Sequence, residues 1–168
     1  MRLYVFRHGP AGERDAKRWP DDSLRPLSRA GRSRAAAAVR GIRAACKPLP
    51  AVILTSPLLR AHQTALLAQS GLRLPPRALK NCEALQPGRP VQALLDALAE
   101  HGEQPVMIVG HEPDLSRLVA HLACGQPGGV ALELKKAGLC VLDVQWQPQP
   151  QATLLALLRP AVLRALGR

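Results

Sequence analysis

Short apolar runs of β-prone residues alternate along this chain with stretches of helical period, and that alternation leaves few folds open. Leu3-Tyr4-Val5-Phe6, Ala51-Val52-Ile53-Leu54-Thr55 and Val106-Met107-Ile108-Val109 are almost wholly apolar. Runs of that length and character belong to strands buried on both faces. Between them, Ser28 caps a predicted helix running to about Cys46. A second helix has Ser56 as its cap and Pro57 in its first turn, and should end before Gly71. Val91, Leu94, Leu95 and Leu98 fall at i, i+3, i+4 and i+7, which predicts an amphipathic helix over 90–101. Leu115, Leu118, Val119 and Leu122 repeat that template in a helix from Pro113.

Further short strands are expected at 77–80, 130–135 and 139–146, with Thr153–Leu158 as a last edge strand before Pro160. Strand and helix joined in turn by short links predict a single-domain, three-layer α/β/α sandwich with a mostly parallel sheet. The domain is expected to span 1–160, with 161–168 as a tail. At 168 residues the chain can bury roughly 70% of its unfolded surface without covalent staples. Its four cysteines, Cys46, Cys82, Cys124 and Cys140, form no C-x-x-C pair and read as small buried hydrophobes in a reducing compartment. The start is too short for a signal sequence, and no apolar run reaches the roughly 18 residues of a membrane span. The expected location is the cytoplasm, with no membrane partner.

Three of these elements begin or end in reactive groups. The first strand runs into Arg7-His8-Gly9, the second into Ser56-Pro57-Leu58-Leu59-Arg60 with Gln63-Thr64, and the Val106–Val109 strand into Gly110-His111. Open α/β sheets bind ligands at that rim. Arg60 falls in the first turn of a helix, where the dipole favours an anion. His62 lies two residues on, in another direction, and reads as a bystander. His111-Glu112-Pro113-Asp114 is not an H-E-x-x-H pattern, and no metal is expected.

Charge supports an anionic ligand. The net charge is +11, and residues 1–47 carry 12 Lys/Arg against 4 Asp/Glu, a balance of +8. Arg29, Arg32, Arg40 and Arg43 share one arc of the first helix, beside a core arc of Ala35, Val39, Ile42 and Cys46. With only four aromatic residues and no nucleic-acid motif, the chain lacks the stacking platforms of a nucleic-acid binder.

The order and spacing of the three motifs resemble the histidine phosphatase superfamily, the phosphoglycerate mutase-like fold, and specifically its short phosphohistidine phosphatases of the SixA type. The resemblance covers the chain to about residue 158. It implies that His8 is the nucleophile and that Arg7, Gly9, Arg60 and His111 bind the phosphoryl group. It also implies phosphohydrolysis through a phosphohistidine at His8, which water then cleaves, with no cofactor. The chemistry of the residues agrees: a neutral imidazole is nucleophilic near pH 7 when its other nitrogen is held as a donor, and guanidiniums grip phosphoryl oxygens in bidentate fashion. His111, if protonated, would add charge where the phosphoryl group spreads its own.

Larger family members use an acid to protonate an alkoxide leaving group. Glu83 is the candidate here, with Glu112 and Asp114 as other positions. A weak acid position favours phosphohistidine as substrate, because an imidazole can depart without help that an alkoxide needs. Only 50 residues separate Arg60 from His111, too few for a cap over a small substrate. The expected substrate is therefore phosphohistidine on a partner protein such as a histidine phosphotransfer domain, in signal transduction. Two alternatives stay open: a phosphatase of small phosphate esters or anhydrides, and a non-catalytic polyanion-binding module.

Overall fold

The computed structural model describes residues 1–126 and 129–168. Six strands form one mixed sheet: β1 (Arg2–Arg7), β2 (Val52–Thr55), β3 (Leu79–Asn81), β4 (Val106–Gly110), β5 (Leu139–Gln145) and β6 (Gln151–Leu158). Their order is β3-β2-β4-β1-β5-β6. The first four are mutually parallel, while β5 and β6 add antiparallel strands beyond β1. The strand that opens the chain thus lies inside the sheet, pairing Leu3 with Val106 on one side and with Leu142 on the other.

Five helices cover the sheet: α1 (Arg29–Ala45), α2 (Leu59–Leu72), α3 (Val91–Ala99), α4 (Asp114–Cys124) and α5 (Pro160–Leu166). Alternation along β1 divides the core. Leu3 and Val5 face α3 and α4, packing with Leu94, Leu95, Leu98, Leu118 and Leu122. Tyr4 and Phe6 face α1, α2 and α5, packing with Val39, Ile42, Ala65 and Leu163. Each face removes its apolar stripe from water, and this burial dominates the folding energy. The predicted three-layer sandwich is the observed one.

Several local expectations need correction. The second helix does not stop before Gly71. It continues to Leu72 and ends at Arg73, whose φ of 60° is left-handed. Gly71 is used for close packing instead, since a Cβ there would lie 2.5 Å from Val39 Cγ1. Residues 130–135 form no strand. Leu134 is buried and Leu132 packs beside it, so the alternation is real. Both edges of β1, however, are already taken by β4 and β5. The stretch 161–168 is not a loose tail: it contributes most of α5, whose Leu163 is fully buried. Gly41 on α1 permits this docking, because a Cβ there would meet the Leu163 carbonyl oxygen at 1.8 Å. Among the described residues, no helix is long and apolar enough to cross a membrane.

Candidate active site

The C-terminal ends of β1, β2 and β4 meet at one cleft of about 650 Å³. Arg7, His8, Arg60 and His111 all line it, as do Asp22, Arg25, Glu112 and Lys136. His8, Arg60 and His111 are each at most 6% exposed. The two imidazole rings lie 5.0 Å apart between centroids. Residues scattered over a hundred positions of sequence are thus brought together by parallel pairing.

His8 is held through its neighbour. Its Nδ1 donates to the Gly9 carbonyl oxygen at 2.6 Å, which leaves Nε2 as the basic nitrogen. Burial pushes its pKa down to about 3; the bond to Gly9, the next influence in size, pulls upward, and the charges of Arg60, Arg7 and Lys136 push further down. The ring is therefore neutral at physiological pH, with its lone pair available. Gly9 does not line the cleft as expected. Its N–H donates to Thr64 Oγ1 at 3.0 Å, and the Thr64 hydroxyl donates to the Arg60 carbonyl at 2.7 Å. A Cβ on Gly9 would be 3.1 Å from both the Ala35 Cβ and the Gly31 carbonyl oxygen. Gly9 thus orients His8 and ties β1 to α2.

His111 is oriented by Ser56, which is not the helix cap the sequence suggested. The Leu58 N–H donates to Ser56 Oγ at 3.4 Å, and the Ser56 hydroxyl reaches His111 Nε2 at 3.0 Å. In the tautomer whose Nε2 accepts from the hydroxyl, Nδ1 carries the proton; that nitrogen is buried without a partner. Burial first, then His8, Arg60 and Arg7, push His111 down to about 3 as well. His111 therefore offers a neutral N–H to an anion, not the positive charge considered from the sequence.

The arginines are fixed by main chain and by one carboxylate. Arg7 Nη1 donates to the Leu134 carbonyl at 2.8 Å. Arg60 Nη1 donates to the Asp22 carbonyl at 2.8 Å, and its Nη2 lies 3.1 Å from Asp22 Oδ2. The other carboxylate oxygen of Asp22 accepts from Arg25 Nε at 2.8 Å, and that bond is the largest cause of its lowered pKa. Arg25 in turn donates to the Gly12 carbonyl. The irregular segment 10–26 therefore folds beside the strand ends as a second wall, bringing Asp22, Arg25 and Arg14. The sequence motifs gave none of these residues a role.

The three carboxylates weighed as acids separate clearly. Glu83 opens a single 3₁₀ turn, accepts from Gln86, and does not line the cleft. Asp114 is bonded to the Gly88 N–H and to Arg117. Glu112 lines the cleft, and its carboxylate also accepts from the Ser116 hydroxyl at 2.7 Å. His62 has no part in the cleft lining. Arg7 Nε, Arg60 Nε and His111 Nδ1, on residues that line the cleft with His8, are buried without a partner. Such donors suit a tetrahedral oxyanion beside a neutral nucleophile.

Comparison with known proteins gives the same direction. The model of the histidine phosphatase superfamily (branch 1) matches residues 3–88. An uncharacterised protein of Picosynechococcus sp. is 37% identical over 143 residues, covering 83% of this chain and 82% of that one. Phosphohistidine phosphatase SixA of Escherichia coli is 32% identical over 128 residues, covering 75% of this chain and 76% of its own. The structure of the protein histidine phosphatase SixA complexed with tungstate superposes with a TM-score of 0.80 at 26% identity, covering 96% of this chain and 98% of that chain.

Proposed function

The chain belongs to the histidine phosphatase superfamily, and we propose that within it the chain is a metal-independent phosphohistidine phosphatase acting on a partner protein, such as a histidine phosphotransfer domain. The observation that carries this reading is the Nδ1–H to Gly9 carbonyl bond of a buried, neutral His8 among Arg7, Arg60 and His111.

In this reading His8 Nε2 attacks phosphorus in line with the bond to the substrate imidazole. The P–N bond breaks, and that imidazole leaves neutral, with the proton it already carries on its other nitrogen. Arg7 and Arg60 hold non-bridging oxygens, and the His111 Nδ1–H donates to one of them. Phospho-His8 is then a phosphoimidazolium whose Nδ1–H is shared with Gly9. Water attacks phosphorus, gives its proton to solvent, and releases orthophosphate. His8 departs as the neutral imidazole that began the cycle.

Two further observations support a protein substrate. The residues between Arg60 and His111 are used by the rest of α2, by β3, α3 and β4, all packed on the sheet. The rim of the cleft includes Arg14, 83% exposed at its side chain. An open, cation-rimmed cleft fits a phosphorylated side chain on a folded surface better than an enclosed metabolite. Glu112 is the observation favouring the second reading, small phosphate esters, because it alone of the three candidate carboxylates lines the cleft.

The test compares phosphate release from a phosphohistidine protein and from p-nitrophenyl phosphate, for wild type and His8→Ala. Release from the phosphoprotein only, abolished in His8→Ala, is the expected result. Equal turnover of both substrates would establish the ester reading and make Glu112 the next residue to change. No His8-dependent release from either substrate would overturn the phosphatase reading and leave a polyanion-binding module.

A further inference from the structure

Lys136 is the cleft cation that comes from neither the strand ends nor the 10–26 segment. Lys136 lines the cleft from the segment between α4 and β5. That segment is bolted to the nucleophile strand on both sides of the lysine. Before it, the Leu134 carbonyl accepts from Arg7 Nη1 at 2.8 Å. After it, the Ala137 N–H donates to the carbonyl oxygens of Arg7 and His8 at 3.1 and 3.2 Å, and the Arg7 N–H donates to the Gly138 carbonyl at 3.1 Å. Ala137 is buried with a φ of 60°, a conformation an alanine holds only where its surroundings enforce it. Lys136 is therefore presented on a fixed piece of backbone, not on a free loop.

The two neighbouring lysines have different fates. Lys135 pairs with Glu133 outside the cleft. Lys136 forms no ion pair among the described residues. Partial burial, then Arg7, Arg25 and Arg60, hold its ammonium below the usual lysine range. An ammonium kept beside three guanidiniums is electrostatically costly until a multiply charged anion enters between them.

We propose that Lys136 is a phosphoryl-binding residue: its ammonium takes an oxygen of the substrate's phosphoryl group, completing a grip begun by Arg7 and Arg60. The inference rests on the reading that this cleft takes a phosphoryl group. A lysine suits the position because it delivers compact charge on a flexible stem and can follow phosphorus as it moves from substrate to His8. The orthophosphate product uses the same contact.

The experiment is calorimetric titration of wild type, Lys136→Met and Lys136→Arg with orthophosphate, together with steady-state kinetics on a phosphohistidine protein. Lys136→Met is expected to weaken orthophosphate about tenfold and to raise KM by a similar factor, with kcat within about twofold. Lys136→Arg should recover most of the affinity. Orthophosphate binding unchanged in Lys136→Met would overturn the assignment, as would a loss confined to kcat. Failure of the wild type to bind orthophosphate and to show His8-dependent turnover would instead overturn the phosphatase reading, and the role of Lys136 with it.

Discussion

The cleft has two walls built on different principles. One is the row of strand ends, where His8, Arg60 and His111 are buried and fixed by short bonds to Gly9, Asp22 and Ser56. The other is made of two irregular segments, 10–26 and 130–138, which bring Asp22, Arg25 and Lys136. The strand-end wall is rigid because His8 and His111 directly follow β1 and β4 and Arg60 sits in the first turn of α2, which packs on the sheet. The loop wall is held where it meets α1 at Gly31, α2 at Arg60 and β1 at Arg7. In the proposed function, chemistry that needs a desolvated nucleophile belongs on the first wall, and charge that must adapt to an incoming phosphoryl group belongs on the second.

The two walls should therefore fail differently. Arg60→Ala removes a buried guanidinium from the strand-end wall, and kcat/KM for a phosphohistidine protein should fall about 10²- to 10³-fold in steady-state assays. A loss under tenfold would mean that the loop wall shares the work equally. Gly31→Ala strikes the anchor of the loop wall, because a Cβ would sit 1.7 Å from the Pro10 carbonyl oxygen. The expected cost is about 3 kcal/mol in denaturant unfolding, as α1 and the 10–26 segment are forced apart. Asp22→Asn keeps the main-chain carbonyl that holds Arg60 but removes the charge shared by Arg60 and Arg25. A fall in kcat of about three- to tenfold is expected, well short of Arg60→Ala.

The smallest effect tests burial of the two histidines by pH. Both have folded pKa values near 3, against about 6.5 in the unfolded chain. Between those limits the unfolded state binds more protons, so the stability contributed by neutral burial is full above pH 6.5 and is lost as pH falls toward 3. The slope should approach roughly 1 kcal/mol per pH unit for each histidine. His111→Gln should flatten it by about half, and NMR should find neither ring titrating between pH 5 and 8. A ring that protonates near 6.5 would show that its wall is open to water.

Legibility in the sequence followed the same division. The strand-end residues announced themselves because a buried strand is an apolar run with a sharp end, and three such ends carried polar groups in order. The loop wall has no period to read. Asp22 and Arg25 stand among prolines and mixed charges, and nothing local says that the carbonyl of Asp22 will meet Arg60 nearly forty residues later. Lys136 was hidden beside an alternation that resembles a strand, although its leucines pack down without any partner edge. Glu83 was misplaced for the opposite reason: position after the third strand suggested a role, while its side chain turned to Gln86. Ser56 was noticed but given the wrong task, since a serine before a helix reads equally well as a cap or as a partner for a distant histidine.

The interior position of β1 also bears on how the protein comes into being. Its neighbours in the sheet, β4 and β5, lie about a hundred or more residues further along the chain. During synthesis at about 5–20 residues per second, β1 therefore leaves the ribosome on the order of ten seconds before either flank exists to receive it. Until then Leu3-Tyr4-Val5-Phe6 is an apolar ribbon with two bare edges, a target for whatever chaperone binds nascent chains. β1 is thus made well before the strands that enclose it, so a chain cut short before β4 carries His8 but neither His111 nor the pairing that buries β1.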